Sequence, residues 1–147
     1  DVSILRNAGF QVVEAKYESL FPMLESGRFD CFLRGVNEAA AEVTQWLPAN
    51  PHLSVEPEAM LVYPFAMFFF VSRDTPELAV LIEQGLIRAY EDGSFIRHFQ
   101  THPTIQQIFR DIGMEHRRRV DIDNPSLSEE TGRIPSRYWH QTGPRGD

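Results

Sequence analysis

The segment from Arg34 to Glu38 has the side chains with the clearest capacity for ligand chemistry. Arg34 precedes a glycine, and Asn37 and Glu38 follow, where a predicted strand gives way to a predicted helix. In open α/β sheets, ligands bind at the carboxyl ends of strands, where a helix N-terminus and an arginine together suit an anionic or polar ligand. The alternative is structural, with Arg34 paired to Glu38 on the first helical turn.

Three aromatic residues could stack on a ligand held by that segment. Tyr17 stands at a predicted strand-to-helix turn, and Tyr63 and Phe65 lie close together further along the chain. Packing in a core is the alternative role for all three.

Other reactive groups give weaker indications of a site. His98 and His102 have a spacing that suits zinc on a helix, but no cysteine and no carboxylate at a motif spacing completes the site, so surface histidines are favoured. Cys31 is the only cysteine, and we predict that it is a small buried apolar residue within a strand. The basic run Arg117 to Arg119 favours a solvated strand edge or an intramolecular ion-pair face over an anion site. The common phosphate-loop, dinucleotide, hydrolase and zinc-protease signatures are missing, and we expect neither a metal nor a cofactor.

Length and composition limit the class of protein. The 147 residues are 42% apolar and 24% charged, which is typical of roughly one globular domain. The net charge of −7 disfavours binding to nucleic acid. The longest relevant uncharged stretch, 59–72, is too short to span a membrane and is interrupted by Pro64.

Hydrophobic periodicity then predicts the elements that position these groups. Glycines and proline mark the ends of several elements, with Pro22 expected near the first turn of its helix. The run Asp74-Thr75-Pro76-Glu77 offers an N-cap and a proline suited to the first helical position. Helices are predicted over 1–8, 17–26, 36–46, 76–91, 94–102 and 104–111, and strands over 10–15, 29–33, 53–56, 66–71 and, at an edge, 119–122. The run 66–71 is continuously apolar, which predicts a strand buried on both faces with Phe69 inside. Strands alternating with helices indicate an α/β fold with parallel βαβ units, and a polar tail from Asn124 is expected to wrap a surface.

Two blocks of sequence carry a resemblance to a known family. The first runs from Tyr17 to Asp30 (YESLFPMLESGRFD) and is similar to a helix, a glycine and a "G-R-x-D" strand. The second begins at Phe65 (FAMFFFVSRDTPELAVLIEQGLIRAYEDGSF) and is similar to a returning strand, an "x-D-x-P-E-L" helix start and a "D-G-S-F" helix end. Over most of residues 1–102 the chain thus resembles the bacterial extracellular solute-binding proteins of family 3, which have the type II periplasmic-binding-protein fold.

That resemblance implies two α/β lobes, with open parallel or mixed sheets flanked by helices, that close over a small molecule. Residues 1–60 would be a second-lobe α/β segment, and residues 61–147 the hinge crossing and the C-terminal part of the first lobe with an irregular tail. The N-terminal half of the first lobe would be missing, so we expect a fragment. The family often has an aspartate where this chain has Gly35, and Glu38 could take that role one helical turn later.

The function implied by the resemblance is binding of a small, polar, amino-acid-like solute for ABC transport or sensing. An ABC permease or a sensor module would be the partner, in the periplasm or another extracytoplasmic location. The chain would not be an enzyme, and its ligand-binding residues would be Tyr17, Arg34, Asn37, Glu38, Tyr63 and Phe65. Two alternatives stay open: an enzyme on the same scaffold, similar to a periplasmic dehydratase with Glu38 or Asp30 as general acid or base, and an interaction domain without a ligand.

Overall fold

The computed structural model describes residues 1–140, and over these residues the chain is a mixed α/β structure. The predicted α/β class is confirmed, with a small parallel sheet of two strands. The helices are α1 (Val2–Asn7), α2 (Tyr17–Glu25), α3 (Ala39–Trp46), α4 (Pro76–Glu91), α5 (Ser94–Thr101), α6 (Pro103–Ile112) and α7 (Glu129–Gly132), and the strands are β1 (Ala59–Val62) and β2 (Arg118–Asp121). Short 3₁₀ turns occupy Met114–His116 and Ser136–Tyr138. None of the described helices is both long and apolar enough to cross a membrane.

The helices are predicted well because their end signals are local. Gly27 and Gly93 adopt φ values of 69° and 74° after α2 and α4, a backbone region that L side chains rarely enter. The start of α4 agrees with the prediction, since Thr75 is the N-cap and Pro76 the first helical residue. Pro22 lies one turn later than expected, in the second turn of α2, where it has no amide to donate to the preceding turn.

The sheet joins two segments that are distant in sequence. Ala59 pairs with Arg118 and Val62 with Asp121, in parallel register. The predicted edge strand is therefore confirmed to within one residue. Its partner β1 was not predicted as a strand, because the resemblance makes residues 59–65 the return crossing between the two lobes. Arg117 precedes β2, is 8% exposed, and donates hydrogen bonds to the carbonyls of Ile112 at 2.8 Å, Ala59 at 3.2 Å and Glu56. This arginine of the basic run thus holds the start of the sheet.

Four predicted strands are wrong. The segments 10–15, 29–33, 53–56 and 66–71 have no strand structure, and Cys31 is exposed where we expected it buried. Phe69 is 71% exposed, which contradicts the prediction that it lies inside a sheet. The reason is that strand preference reflects fit to a pleated, half-buried surface and not an intrinsic backbone preference, and no neighbouring strand among the described residues provides that surface.

The chain divides into two compact units. Of the described residues, unit 1 contains Asp1–Pro64 and Gln107–Ser126, with α1 to α3 and the sheet. Unit 2 contains Phe65–Gln106 and residues 127–140, with α4, α5 and α7. The apolar side chains that are buried among the described residues all belong to unit 1: Ile4, Phe21, Leu53 and Ile112. The first part of the predicted tail forms α7 and a 3₁₀ turn, and its remainder, residues 141–147, lies outside the described residues.

In unit 2 the packing is centred on Tyr90, near the end of α4. Its ring stacks on Phe95 with centroids 4.4 Å apart and meets Tyr138 edge-on at 4.7 Å. Such pairs stabilise beyond the area that they bury. Burial raises the pKa of the Tyr90 hydroxyl.

Candidate functional site

Arg34 is the centre of an ion-pair cluster on unit 1. Its Nε and Nη2 donate to the two carboxylate oxygens of Glu42, each at 2.6 Å, and Nη2 also lies 2.9 Å from Glu38 Oε2. The Tyr17 hydroxyl donates to Glu42 Oε1 at 2.6 Å. We call Tyr17, Phe32, Arg34, Glu38 and Glu42 the Arg34 cluster. Bidentate pairing of this kind is the strongest geometry between arginine and a carboxylate.

Burial within the cluster is graded. The Glu42 side chain is 13% exposed, that of Arg34 25%, and that of Glu38 45%. Hydrogen bonds from Arg34 hold the pKa of Glu42 below its ordinary value, and the same contact raises the pKa of Arg34. Because Tyr17 donates to a carboxylate, the pKa of its hydroxyl is raised. The inner pair is therefore fixed in its charged form, and Glu38 is the outer group that faces solvent.

An aromatic base positions the cluster. Phe21, 4% exposed, stacks on Trp46 of α3 with ring centroids 4.4 Å apart and meets Tyr17 and Phe32 edge-on at 5.3 and 5.2 Å. The Arg34 guanidinium lies over the rings of Tyr17 and Phe32, 5.3 and 5.4 Å from their centroids. Side chains of α2 and α3 thus share one aromatic layer, and the charged groups are built on it.

The pair proposed in the structural alternative forms, because Arg34 does contact Glu38. The helix begins later than predicted, so Glu38 is the N-cap of α3 and Arg34 lies in the segment before it. Sequence reasoning missed Glu42, which makes more contacts with Arg34 than Glu38 does. Helical spacing gives no signal for Glu42, because residues eight apart on one helix are separated by about 12 Å along its axis. The contact forms because Arg34 lies in the segment that precedes α3 and not on the helix.

The remaining predicted ligand residues differ in their surroundings. Asn37 is exposed, and its Oδ1 lies 2.8 Å from the position that a Cβ on Gly35 would occupy, so an aspartate there would displace the Asn37 side chain. Tyr63 is half-buried and donates to Asp1 Oδ1 at 2.9 Å, and burial raises the pKa of its hydroxyl. Phe65 is 62% exposed and belongs to unit 2. The structure therefore brings Tyr17, Arg34, Asn37 and Glu38 into one region, whereas Tyr63 meets the start of the chain.

A second polar group on unit 1 includes Asp30. Glu25, whose side chain is 19% exposed, accepts hydrogen bonds from the His52 amide at 3.2 Å and contacts the His52 imidazole Nδ1 at 2.5 Å. These residues line an open cleft of about 180 Å³, whose wall consists of Leu24, Glu25, Asp30, His52, Leu53 and Ser54. The His52 side chain is 86% exposed, and Asp30 lies in the wall of the same cleft. His52 was not singled out by the sequence, because no motif links it to Glu25.

His98 of α5 and His102, the residue that follows its last turn, have a sequence spacing that suits zinc. The rings of His98 and His102 approach with centroids 5.1 Å apart, so the predicted helical spacing does bring them together. Within residues 1–140 no group of three histidine, cysteine, aspartate or glutamate side chains has an arrangement that could hold a metal ion.

Comparison of the chain with models of protein families, with curated proteins and with solved structures gives no match. The functional assignment therefore depends on the residues and geometry described above.

Proposed function

We propose that this chain binds a small polar solute bearing both a carboxylate and an ammonium group, as an amino-acid-like ligand does. The observation that carries the proposal is the pairing of Arg34 with Glu38. One guanidinium and one carboxylate stand side by side at 2.9 Å, and both are partly open to solvent. Two opposite charges in contact are complementary to a zwitterion.

Each of the two groups has capacity left for a ligand. Arg34 has five N–H donors. Its Nε and Nη2 contact Glu42 and Glu38, whereas Nη1 forms no hydrogen bond with any residue that the structure describes. Nη1 would donate to the solute carboxylate. The second oxygen of Glu38, Oε1, would accept from the solute ammonium group.

The inner contacts prepare the site for binding. Glu42 fixes the guanidinium through two hydrogen bonds, so little side-chain freedom of Arg34 is lost when a ligand binds. Tyr17, 40% exposed, offers a ring face beside the charged groups for the hydrocarbon part or the ammonium of the solute.

The wider biological context follows from the resemblance to the solute-binding proteins of family 3. We propose a type II periplasmic-binding-protein fold, with capture of the solute by closure of two lobes, for ABC transport or sensing. An ABC permease or a sensor module would be the partner, in the periplasm or another extracytoplasmic location. The helical parts of the two blocks support this context, namely α2 followed by Gly27 and α4 followed by Gly93, as does the mixed α/β class. The strands of the two blocks do not form in the described structure.

A thermal-shift and calorimetric titration against the L-amino acids tests the proposal. A ligand that binds only the folded chain raises its melting temperature in a concentration-dependent way. Glu38→Gln should weaken binding by about tenfold or more, because it removes the negative charge that faces the solute ammonium group. Glu129→Gln is the matched control, because Glu129 and Arg133 form the same four-residue pair on α7. Absence of any stabilising amino acid, or equal affinity of Glu38→Gln and the parent chain, would contradict the proposal.

A second candidate function, general acid–base catalysis, is favoured by the group around His52. The imidazole, Glu25 and Asp30 line one cleft, and Asp30 is one of the two carboxylates named for that role from the sequence. Incubation of the chain with any stabilising solute, followed by NMR, would show turnover if this candidate is right. His52→Ala should then abolish turnover and leave binding at the Arg34 cluster unchanged.

A further inference from the structure

The segment Phe65–Val71 exposes an unusual amount of apolar surface. Met67 and Phe70 are 91% and 93% exposed, Phe69 is 71% exposed, and Phe68 is 55% exposed. Neighbouring side chains alternate between the two sides of any strand, so apolar groups are available on both faces. Single exposed apolar residues are ordinary on protein surfaces, but a continuous run is typical of an interaction site.

The backbone of this segment is also available for pairing. From Ala66 to Val71, no backbone hydrogen bond to another described residue is formed. Both strands of the described structure belong to unit 1, so unit 2 offers no sheet to which the segment could add. A run with strand-type side chains and unpaired amides is a template for pairing with another chain.

We propose that a second copy of this chain pairs with Phe65–Val71 in an antiparallel two-fold arrangement centred on Phe68. With that centre, Met67 lies opposite Phe69 of the other copy, and Phe68 lies opposite its own equivalent. Aromatic cross-strand pairs of this kind stabilise antiparallel ladders.

The available area suits a dimer. At about 200 Å² for each phenylalanine, the exposed parts of the four rings in this segment amount to roughly 560 Å². Met67 adds further surface, so the exposed apolar area of the segment is comparable with the roughly 800 Å² that each partner contributes to a standard interface, and pairing buries the part of it that meets the other copy.

Charge also permits the pairing. No charged residue occurs from Ala59 to Ser72, and the centre on Phe68 places Arg73 and Asp74 opposite Tyr63 and Val62, which are uncharged. No like charges therefore meet at the interface. The net charge of −7 on each copy opposes association only at long range, where salt screens it.

Sedimentation velocity of the 147-residue chain tests the proposal. The expected result is a reversible species of twice the chain mass that becomes more populated as sodium chloride is added. Phe70→Lys should raise the dissociation constant by at least about tenfold, since an unpaired charge would enter the interface. Leu81→Lys is the control, because Leu81 is a 66% exposed apolar residue of α4 outside the segment. Circular dichroism checks that both variants keep their helices.

Amide hydrogen exchange provides a readout that does not depend on a variant. Residues 66–71 should become protected as the concentration of the parent chain rises into the dimer range. A monomer at all accessible concentrations would overturn the proposal, as would open-ended oligomers, equal effects of Phe70→Lys and Leu81→Lys, or fast exchange of 66–71 within the dimer.

Discussion

Replacing Glu42 with glutamine removes one charge from the Arg34 cluster and keeps the size of the side chain. The carboxylate accepts three hydrogen bonds of 2.6 Å, two from Arg34 and one from Tyr17. Hydrogen bonds to charged groups stabilise by about 1.5–3 kcal/mol each, and breaking a buried ion pair costs about 3–5 kcal/mol. Arg34 keeps Glu38 as a counter-charge and is 25% exposed, so its charge is not left buried and unpaired. We therefore expect Glu42→Gln to lower the free energy of unfolding by about 2 kcal/mol, which is less than the loss of a fully buried ion pair.

The pH dependence of that loss has a defined sign. Because the folded-state pKa of Glu42 lies below its ordinary value of 4.5, its contribution is complete above pH 4.5 and is lost as the pH falls through the folded-state pKa. The parent chain and Glu42→Gln should therefore differ most near neutrality and converge in acid.

Urea unfolding followed by Trp46 fluorescence measures this difference, since Trp46 stacks in the aromatic base of the cluster. A Trp139→Phe background removes the other tryptophan signal. Glu129→Gln is the control again, because its ion pair is 72% and 78% exposed and should contribute under about 0.5 kcal/mol. A loss from Glu42→Gln no larger than the control, or one that is independent of pH, would refute the view that Glu42 is the structural anchor of Arg34.

Other substitutions test packing and backbone in the same unfolding assay. Phe21→Ala should lower the free energy of unfolding by about 3–5 kcal/mol, because Phe21 is 4% exposed among three aromatic rings. Phe69→Ala in dilute, monomeric protein should lower it by under about 0.5 kcal/mol, because Phe69 is 71% exposed. Similar losses from both variants would mean that the aromatic base is not a core. Gly27→Ala should destabilise by about 1 kcal/mol, since φ is 69° although the space around it is open. Gly85→Ala, inside α4 with equally open space, should raise the free energy of unfolding by about 0.5–1 kcal/mol. If both substitutions stabilised the chain, or both destabilised it, the difference in backbone conformation between the two glycines would not explain the result.

Helices could be predicted from the sequence because the information is local. Pro76 opens α4 and Gly93 follows its end, and both are readable without knowledge of any neighbour. The sheet could not be predicted in the same way. β1 is stabilised by β2 and by the Arg117 side chain, both of which lie far along the chain, and its four residues have no distinctive pattern of their own.

The candidate site was predicted in part for the same reason. The Arg34–Glu38 contact is a one-turn interaction and follows from spacing. The bond from Tyr17 to Glu42 and the stacking of Phe21 on Trp46 depend on how α2 meets α3, which no short segment specifies. The apolar run 66–71 shows the opposite error, in which a strong local pattern predicts a strand that needs a partner from elsewhere.

The parallel pairing of β1 with β2 has a consequence for the order of folding. The Phe65–Gln106 segment of unit 2 lies between the two strands in sequence, so a chain emerging from the ribosome cannot close the sheet until Arg117 and β2 have been synthesised. The contacts of Tyr17, Phe21 and Trp46 span fewer than half as many residues and can form earlier. If unit 2 folds first, it shortens the effective loop that sheet closure must span. Substitutions within unit 2 can therefore change how fast the sheet of unit 1 forms without altering any residue in that sheet.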